Sequence, residues 1–177
     1  MTQKKLPKLT MVLGAASSGK SKFAESMIFS SALPRNYIAT SQVWDDETQQ
    51  KIAAHQTQRG PDWLTIEEAF DLPNALSRCA RGSVTLIDCA TLWLTNHLLA
   101  EADIKQHSHD LFLALGAHPD PVIIVTNEVG AGIVPDTSLG RQFRGIQGAF
   151  NQSLATHADL AVQVIAGLPQ VLKGQLP

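Results

Sequence analysis

Leu9-Thr10-Met11-Val12-Leu13 runs directly into Gly14-Ala15-Ala16-Ser17-Ser18-Gly19-Lys20-Ser21, and that junction decides the fold. The octet has the form G-x-x-x-x-G-K-[ST] in the setting the pattern requires, an apolar strand before it and a helical stretch after it. Glycines at its two ends let successive backbone N–H groups turn inward, so the loop makes an anion nest at a helix N-terminus. Lys20 adds a point charge for β- and γ-phosphates, and the Ser21 hydroxyl is a ligand for Mg²⁺. The chain is therefore expected to bind a nucleoside triphosphate. Its phosphate seat would comprise Gly14, Ala15, Ala16, Ser17, Ser18, Gly19, Lys20 and Ser21.

Outward from this loop, short apolar runs alternate with longer amphipathic stretches, the signature of a parallel sheet covered by helices. Strands are expected at Leu9–Leu13, Tyr37–Ala39, Trp63–Ile66, Val84–Ile87, Val122–Thr126 and Leu160–Ile165. Helices are expected at Lys20–Ser31, Asp46–Gln58, Leu72–Ala80, Leu92–Ala100, His109–Leu115 and Leu139–Thr156. Gln170–Leu172 is either an added edge strand or part of a fraying tail. Pro34, Gly60-Pro61, Gly82, Pro119–Pro121 and Pro135 separate the elements, and no repeat or linker interrupts them. One domain over residues 1–177 is expected. In such sheets ligands sit beyond the carboxyl ends of the strands, where Thr40-Ser41, Glu67-Glu68, Asp88 and Asn127-Glu128 gather beside the loop. Asp88, closing Val84-Thr85-Leu86-Ile87, is either the acidic residue of a Walker B strand, acting on Mg²⁺ directly or through water, or a polar residue of an ordinary loop.

Composition sets limits around this reading. With 44% hydrophobic and 17% charged residues, the chain folds rather than remaining disordered. A net charge of −2 gives no global field for nucleic acid or anionic membrane, so phosphate binding must come from a local site. Cys79 and Cys89 lack metal-ligand or CxxC spacing and are expected as buried thiols in a reducing compartment. No signal peptide and no run of eighteen apolar residues is visible, so the expected location is the cytoplasm, without membrane insertion. Among the six histidines, His107 and His109 form an H-x-H pair, but no third ligand is spaced for a metal and a solvated loop is the expected setting.

Three further stretches narrow the class. They are Tyr37-Ile38-Ala39-Thr40-Ser41-Gln42 with Asp45-Asp46-Glu47 and Lys51-Ile52-Ala53-Ala54-His55; Leu86-Ile87-Asp88-Cys89-Ala90-Thr91-Leu92-Trp93-Leu94-Thr95-Asn96; and Val125-Thr126-Asn127-Glu128-Val129-Gly130-Ala131-Gly132-Ile133-Val134-Pro135. Together they resemble the bifunctional adenosylcobinamide kinase/adenosylcobinamide-phosphate guanylyltransferase family of cobalamin biosynthesis, from Met11 to about Val164. The resemblance implies two reactions: ATP or GTP phosphorylates adenosylcobinamide, and GTP then gives GMP to a histidine that passes it to adenosylcobinamide phosphate. His55 matches the histidine, in a pattern with Lys51 where many relatives have arginine. Imidazole is an adequate nucleophile near neutral pH, and a phosphoramidate divides one difficult transfer into two easier ones.

By the same resemblance Thr40, Ser41, Gln56, Thr57, Gln58, Arg59 and Glu67 would line the nucleotide site. Arg59 suits an α-phosphate or a leaving pyrophosphate, or else caps a solvated helix end. Glu67 accepts from a guanine edge or a ribose, or is a plain surface carboxylate. Glu128 is a candidate base or metal-organising acid. The resemblance also implies a homotrimer and an α/β P-loop NTPase fold of RecA-like type, its mostly parallel sheet covered by helices on both faces. Departures are Ala15 and Ser17 where the family typically has glycine and arginine, a short stretch between Asn96 and Val122, and Gly145 where an acidic residue is common. Gly140, Gly145 and Gly148 in the late helix each cost about 1 kcal/mol relative to alanine, which close backbone packing would rationalise. A single-function metabolite kinase and a noncatalytic GTP-dependent switch remain the rival readings; the switch has no use for His55 or for Val125–Pro135, and the kinase would tolerate replacement of His55.

Overall fold

The apolar runs lie side by side because strands buried on both faces have nowhere else to go. The computed structural model describes residues 5–42 and 62–177. Seven strands form one sheet: β1 (Leu9–Gly14), β2 (Arg35–Ala39), β3 (Trp63–Glu67), β4 (Val84–Asp88), β5 (Val122–Asn127), β6 (Leu160–Ile165) and β7 (Leu168–Lys173). Their order is β3-β2-β4-β5-β1-β6-β7, parallel throughout except for β7, which runs antiparallel to β6. Among the described residues the helices are α1 (Lys20–Ser31), α2 (Leu72–Ser77), α3 (Ala90–Leu99), α4 (Ile104–Ala117) and α5 (Ser138–His157).

Every residue of β1 is buried. It pairs with β5 from Leu9↔Val122 to Gly14↔Asn127 and with β6 from Thr10↔Leu160 to Gly14↔Val164. Alternation then sorts its side chains into two cores. Met11, Leu13 and Ile124 pack with Trp93, Leu111 and Leu154 of α3, α4 and α5. Val12, Ile123 and Val162 pack with Ala24, Met27 and Ile28 of α1. Helices thus cover both faces, as expected.

Several boundaries move for identifiable reasons. β2 starts at Arg35 rather than Tyr37 because Asn36, though polar, is buried and satisfied: its amide donates to Thr85 Oγ1 at 3.2 Å and to Ser83 Oγ. α2 ends three residues early, at Ser77. α3 begins at Ala90, two residues early, with no side-chain cap. α4 begins at Ile104, because Asp103 caps it by accepting from Gln106 N at 3.1 Å; His107 and His109 therefore lie on a helix, not in a loop. β7 is a full strand rather than a frayed tail. The expected helix Asp46–Gln58 lies outside the described residues.

The glycines of α5 divide. A Cβ on Gly140 would stand 2.7 Å from Pro135 Cβ, so close packing against the incoming loop accounts for it. Gly145 and Gly148 face open space, and packing within the described residues does not explain them.

Ile124 lies in the middle of the sheet at 1% exposure. Ile124→Val should cost about 1 kcal/mol and Ile124→Ala about 4 kcal/mol of unfolding free energy, read from urea denaturation with an unchanged m-value.

Candidate active site

The phosphate-binding loop leaves the sheet at Gly14. A Cβ there would collide with Ser18 Oγ and sit 2.8 Å from Val164 O. Ser17 and Gly19 both have positive φ, 56° and 91°, which curls the backbone before α1 begins at Lys20. Lys20 Nζ lies across the loop and donates to Ala15 O at 3.1 Å. Ser18 Oγ is buried without a hydrogen-bond partner. It packs against the Gly14 backbone at the end of β1.

Asp88 stands at the carboxyl end of β4, in register with Ala39, which in turn is in register with Glu67. Tyr37 Oη donates to Asp88 Oδ2 at 3.1 Å. Thr40 is fully buried, and its hydroxyl binds both Cys89 N and Cys89 O at 2.8 Å. Asn96, on α3, donates to Thr40 O at 2.8 Å and to Ala69 O at 3.0 Å. Trp93 Nε1 donates to Phe70 O at 2.7 Å. These bonds tie the loops after β2 and β3 to the helix that follows Asp88.

The end of β5 is held in the same manner. Asn127 N donates to Thr91 Oγ1 at 2.8 Å, and Asn151 Nδ2 donates to Asn127 O at 3.0 Å. Gln147 Nε2 reaches Thr126 Oγ1 and Asn151 Oδ1, both at 2.9 Å. Asn127 Oδ1 is left buried and unpartnered, on the residue in register with Gly14. Glu128 Oε1 accepts from Gly130 N, and the Arg144 guanidinium donates to Gly130 O. Arg141 donates to Pro135 O at 3.0 Å and Asp136 O at 2.7 Å.

A family model described as cobinamide kinase / cobinamide phosphate guanyltransferase matches residues 10–172. The chain belongs to the cobinamide kinase / cobinamide phosphate guanyltransferase family. A Pseudomonas aeruginosa relative, the bifunctional adenosylcobalamin biosynthesis protein CobP, is 39% identical over 168 residues, covering 93% of this chain and 97% of its own. The Escherichia coli protein CobU, likewise named a bifunctional adenosylcobalamin biosynthesis protein, is 35% identical over 181 residues, with coverage of 93% and 99%. Among solved structures, the flagellar accessory protein FlaH from Methanocaldococcus jannaschii superposes with a TM-score of 0.55 at 12% identity, over 99% of this chain and 86% of that one. A prototypical ATPase from the type III secretion system of pathogenic bacteria gives 0.56 at 12% identity, over 92% and 56%. These two likenesses concern the fold alone, an α/β domain with a mostly parallel sheet covered by helices.

Within this family member, the loop residues 14–21 and Asp88 fall on one edge of the sheet, with Glu67 exposed at the end of β3 and Ser41 half-buried after β2. Thr40 faces inward to the Cys89 backbone. His55, Gln56, Thr57, Gln58 and Arg59 lie outside the described residues. Sequence reasoning assigned no part to Tyr37, Asn96, Gln147 or Asn151. A polar residue inside an apolar helical or strand pattern was the available signal, and all four are buried. Cys79 and Cys89 are free and buried. Burial, with the Asp88 charge beside it, pushes the Cys89 thiol up to about 11, and Lys20 pulls weakly the other way. The thiol is neutral and unreactive at physiological pH. No group of three metal-ligating side chains occurs among the described residues.

His97 supports the Asn96 clamp from the next position. It is buried, with Nε2 at 3.2 Å from Phe70 O, and Nδ1 has no partner. Burial lowers its pKa below 6.5, and nearby His107 adds to the shift. A histidine kept neutral by the fold stabilises the native state above its unfolded pKa. That contribution is lost as pH falls below about 6.5, where the unfolded chain takes up the proton first. Stability should therefore decline between pH 7.5 and 5.5, and His97→Gln should make that decline shallower, measured by urea unfolding at both pH values. His118, also held low by burial, supplies part of the remaining slope.

Proposed function

We propose that this chain phosphorylates adenosylcobinamide with ATP or GTP and then transfers GMP from GTP to the product, giving adenosylcobinamide-GDP in assembly of the cobalamin nucleotide loop. Family membership supports the pair of reactions. The observation that carries the first is a loop curled by positive φ at Ser17 and Gly19 and crossed by Lys20, beside an edge that ends in Asp88. Loop amides, Lys20 and the positive end of α1 would hold the triphosphate and offset charge on the transferring phosphoryl group. Ser17, lacking a charge, adds nothing to that field, so Lys20 bears a larger share of it.

The oxygens available fit Mg²⁺, a hard cation that keeps several waters and takes one or two protein oxygens with the phosphates. Asp88 and Ser21 would hold it, directly or through water, while Tyr37 fixes one Asp88 oxygen. When bound, the ion would supply positive charge that neutralises the phosphates.

For the second reaction, His55 would attack the α-phosphorus of GTP in line, forming a P–N bond as pyrophosphate leaves. A phosphate oxygen of adenosylcobinamide phosphate then displaces the histidine, breaking P–N and forming the P–O–P link. Arg59 or Lys20 would offset the developing charge, Gln56, Thr57, Gln58, Ser41 and Glu67 would line the nucleotide, and Glu128 is the candidate base. A homotrimer in the cytoplasm is the working assembly, in which a neighbouring subunit can complete the site around His55. No helix among the described residues is long and apolar enough to cross a membrane.

GTP labelled at the α-phosphate should leave acid-labile label on the wild type and none on His55→Ala. His55→Ala should still phosphorylate adenosylcobinamide, whereas Lys20→Ala should lose about a hundredfold or more of that rate. Retained labelling in His55→Ala would remove it as the nucleophile. No label on the wild type, with phosphorylation intact, would reduce the protein to a single-function kinase.

A further inference from the structure

β6 turns into β7 through Ala166 and Gly167, both with positive φ, 51° and 79°, the combination that a tight hairpin requires. This turn is anchored to the phosphate-binding loop. Gly167 N donates to Ser18 O at 2.8 Å, and a Cβ built on Gly19 would stand 3.1 Å from Gly167 Cα. The glycine at position 19 therefore serves two ends, the positive φ of the loop and the close approach of the hairpin. On either side of the turn, Ile165 and Leu168 stand opposite each other in the ladder, so both side chains project from one face. They are 55% and 73% exposed.

Strand order gives this pair a direction relative to the loop. β4, ending in Asp88, lies to one side of β1 with β5 between them, and the hairpin lies to the other side. In the phosphoryl-transfer step, a triphosphate whose terminal phosphate and metal face Asp88 would extend its nucleoside end toward β6 and β7, away from Ser41 and Glu67, which are assigned to the nucleotide of the second reaction. We propose that Ile165 and Leu168 form the apolar wall on which the ribose and base of the nucleotide at the P-loop rest, with the Gly167–Ser18 bond setting the spacing between wall and phosphate seat. This rests on the triphosphate reading of the loop. Two aliphatic side chains read the face of a purine and not its edge, which fits a phosphoryl donor that can be ATP or GTP.

The test compares a nucleotide with its phosphate chain alone. Wild type, Ile165→Ser/Leu168→Ser and Lys20→Ala would each be titrated with a non-hydrolysable ATP analogue and with inorganic tripolyphosphate. Both hairpin positions are exposed, so the double variant should melt within a few degrees of wild type. Its Kd for the ATP analogue should rise about tenfold, the loss of roughly one apolar contact surface, while its Kd for tripolyphosphate stays unchanged. Unchanged affinity for both ligands would overturn the proposal. Equal weakening of both would also overturn it, because the hairpin would then act by holding the loop. If Lys20→Ala leaves both affinities intact, the P-loop reading itself fails and the wall falls with it; a Lys20-dependent wild type with an indifferent hairpin fails the wall alone.

Discussion

Pairing of β1 on both edges is the constraint from which the rest of the molecule follows. With β5 in register on one side and β6 on the other, the strand has no freedom to slide, since a one-residue slip would exchange its two cores. Gly14 is delivered between Asn127 and Val164, and the loop must begin there. The first glycine of the motif is then required by space, since Val164 O and Ser18 occupy the volume a side chain would need. The last is required by backbone geometry and by the hairpin resting on it. Two glycines in one motif thus answer to different demands.

A second layer of order comes from buried polar side chains that serve strand ends. Thr40, Thr91, Asn96, Trp93, Gln147 and Asn151 direct their hydrogen bonds at backbone groups of Cys89, Asn127, Thr40, Ala69 and Phe70, or at one another. Backbone polar groups at the end of a buried strand would otherwise lack partners. Satisfying them from neighbouring helices couples the loops at the carboxyl edge of the sheet into one network, which rigidifies them together. The loops at this edge are thereby fixed by residues of the helices and strands behind them.

Sequence patterning identified the six parallel strands because each holds a short, mostly apolar stretch, and the P-loop because its chemistry admits few alternatives. Polar residues in buried roles were harder to read. Asn36 carries no local sign of burial, because its partners Ser83 and Thr85 lie about fifty residues away in the chain and come near only through the pairing of β2 with β4. The early start of α4 was legible in principle, since Asp103-Ile104-Lys105-Gln106 has the spacing of a capped N-terminus. The inward turn of Thr40 was not, because its partner is a backbone that only the sheet order brings near. Similarly, nothing local to Gly167 points to Ser18; the contact exists because β6 neighbours β1.

β7 also bears on how the molecule keeps to itself. It is the outermost strand, exposed along its whole length, and β6 is its strand neighbour in the sheet. Such an edge is a template for a further strand from another molecule. Pro169 lacks an amide hydrogen to offer, and Lys173 stations an ammonium at the far end, where it also donates to Ala155 O and Thr156 O of α5. Unwanted sheet growth is thus obstructed at both ends of the strand, and the edge can stay short of aggregation while leaving Leu168 uncovered.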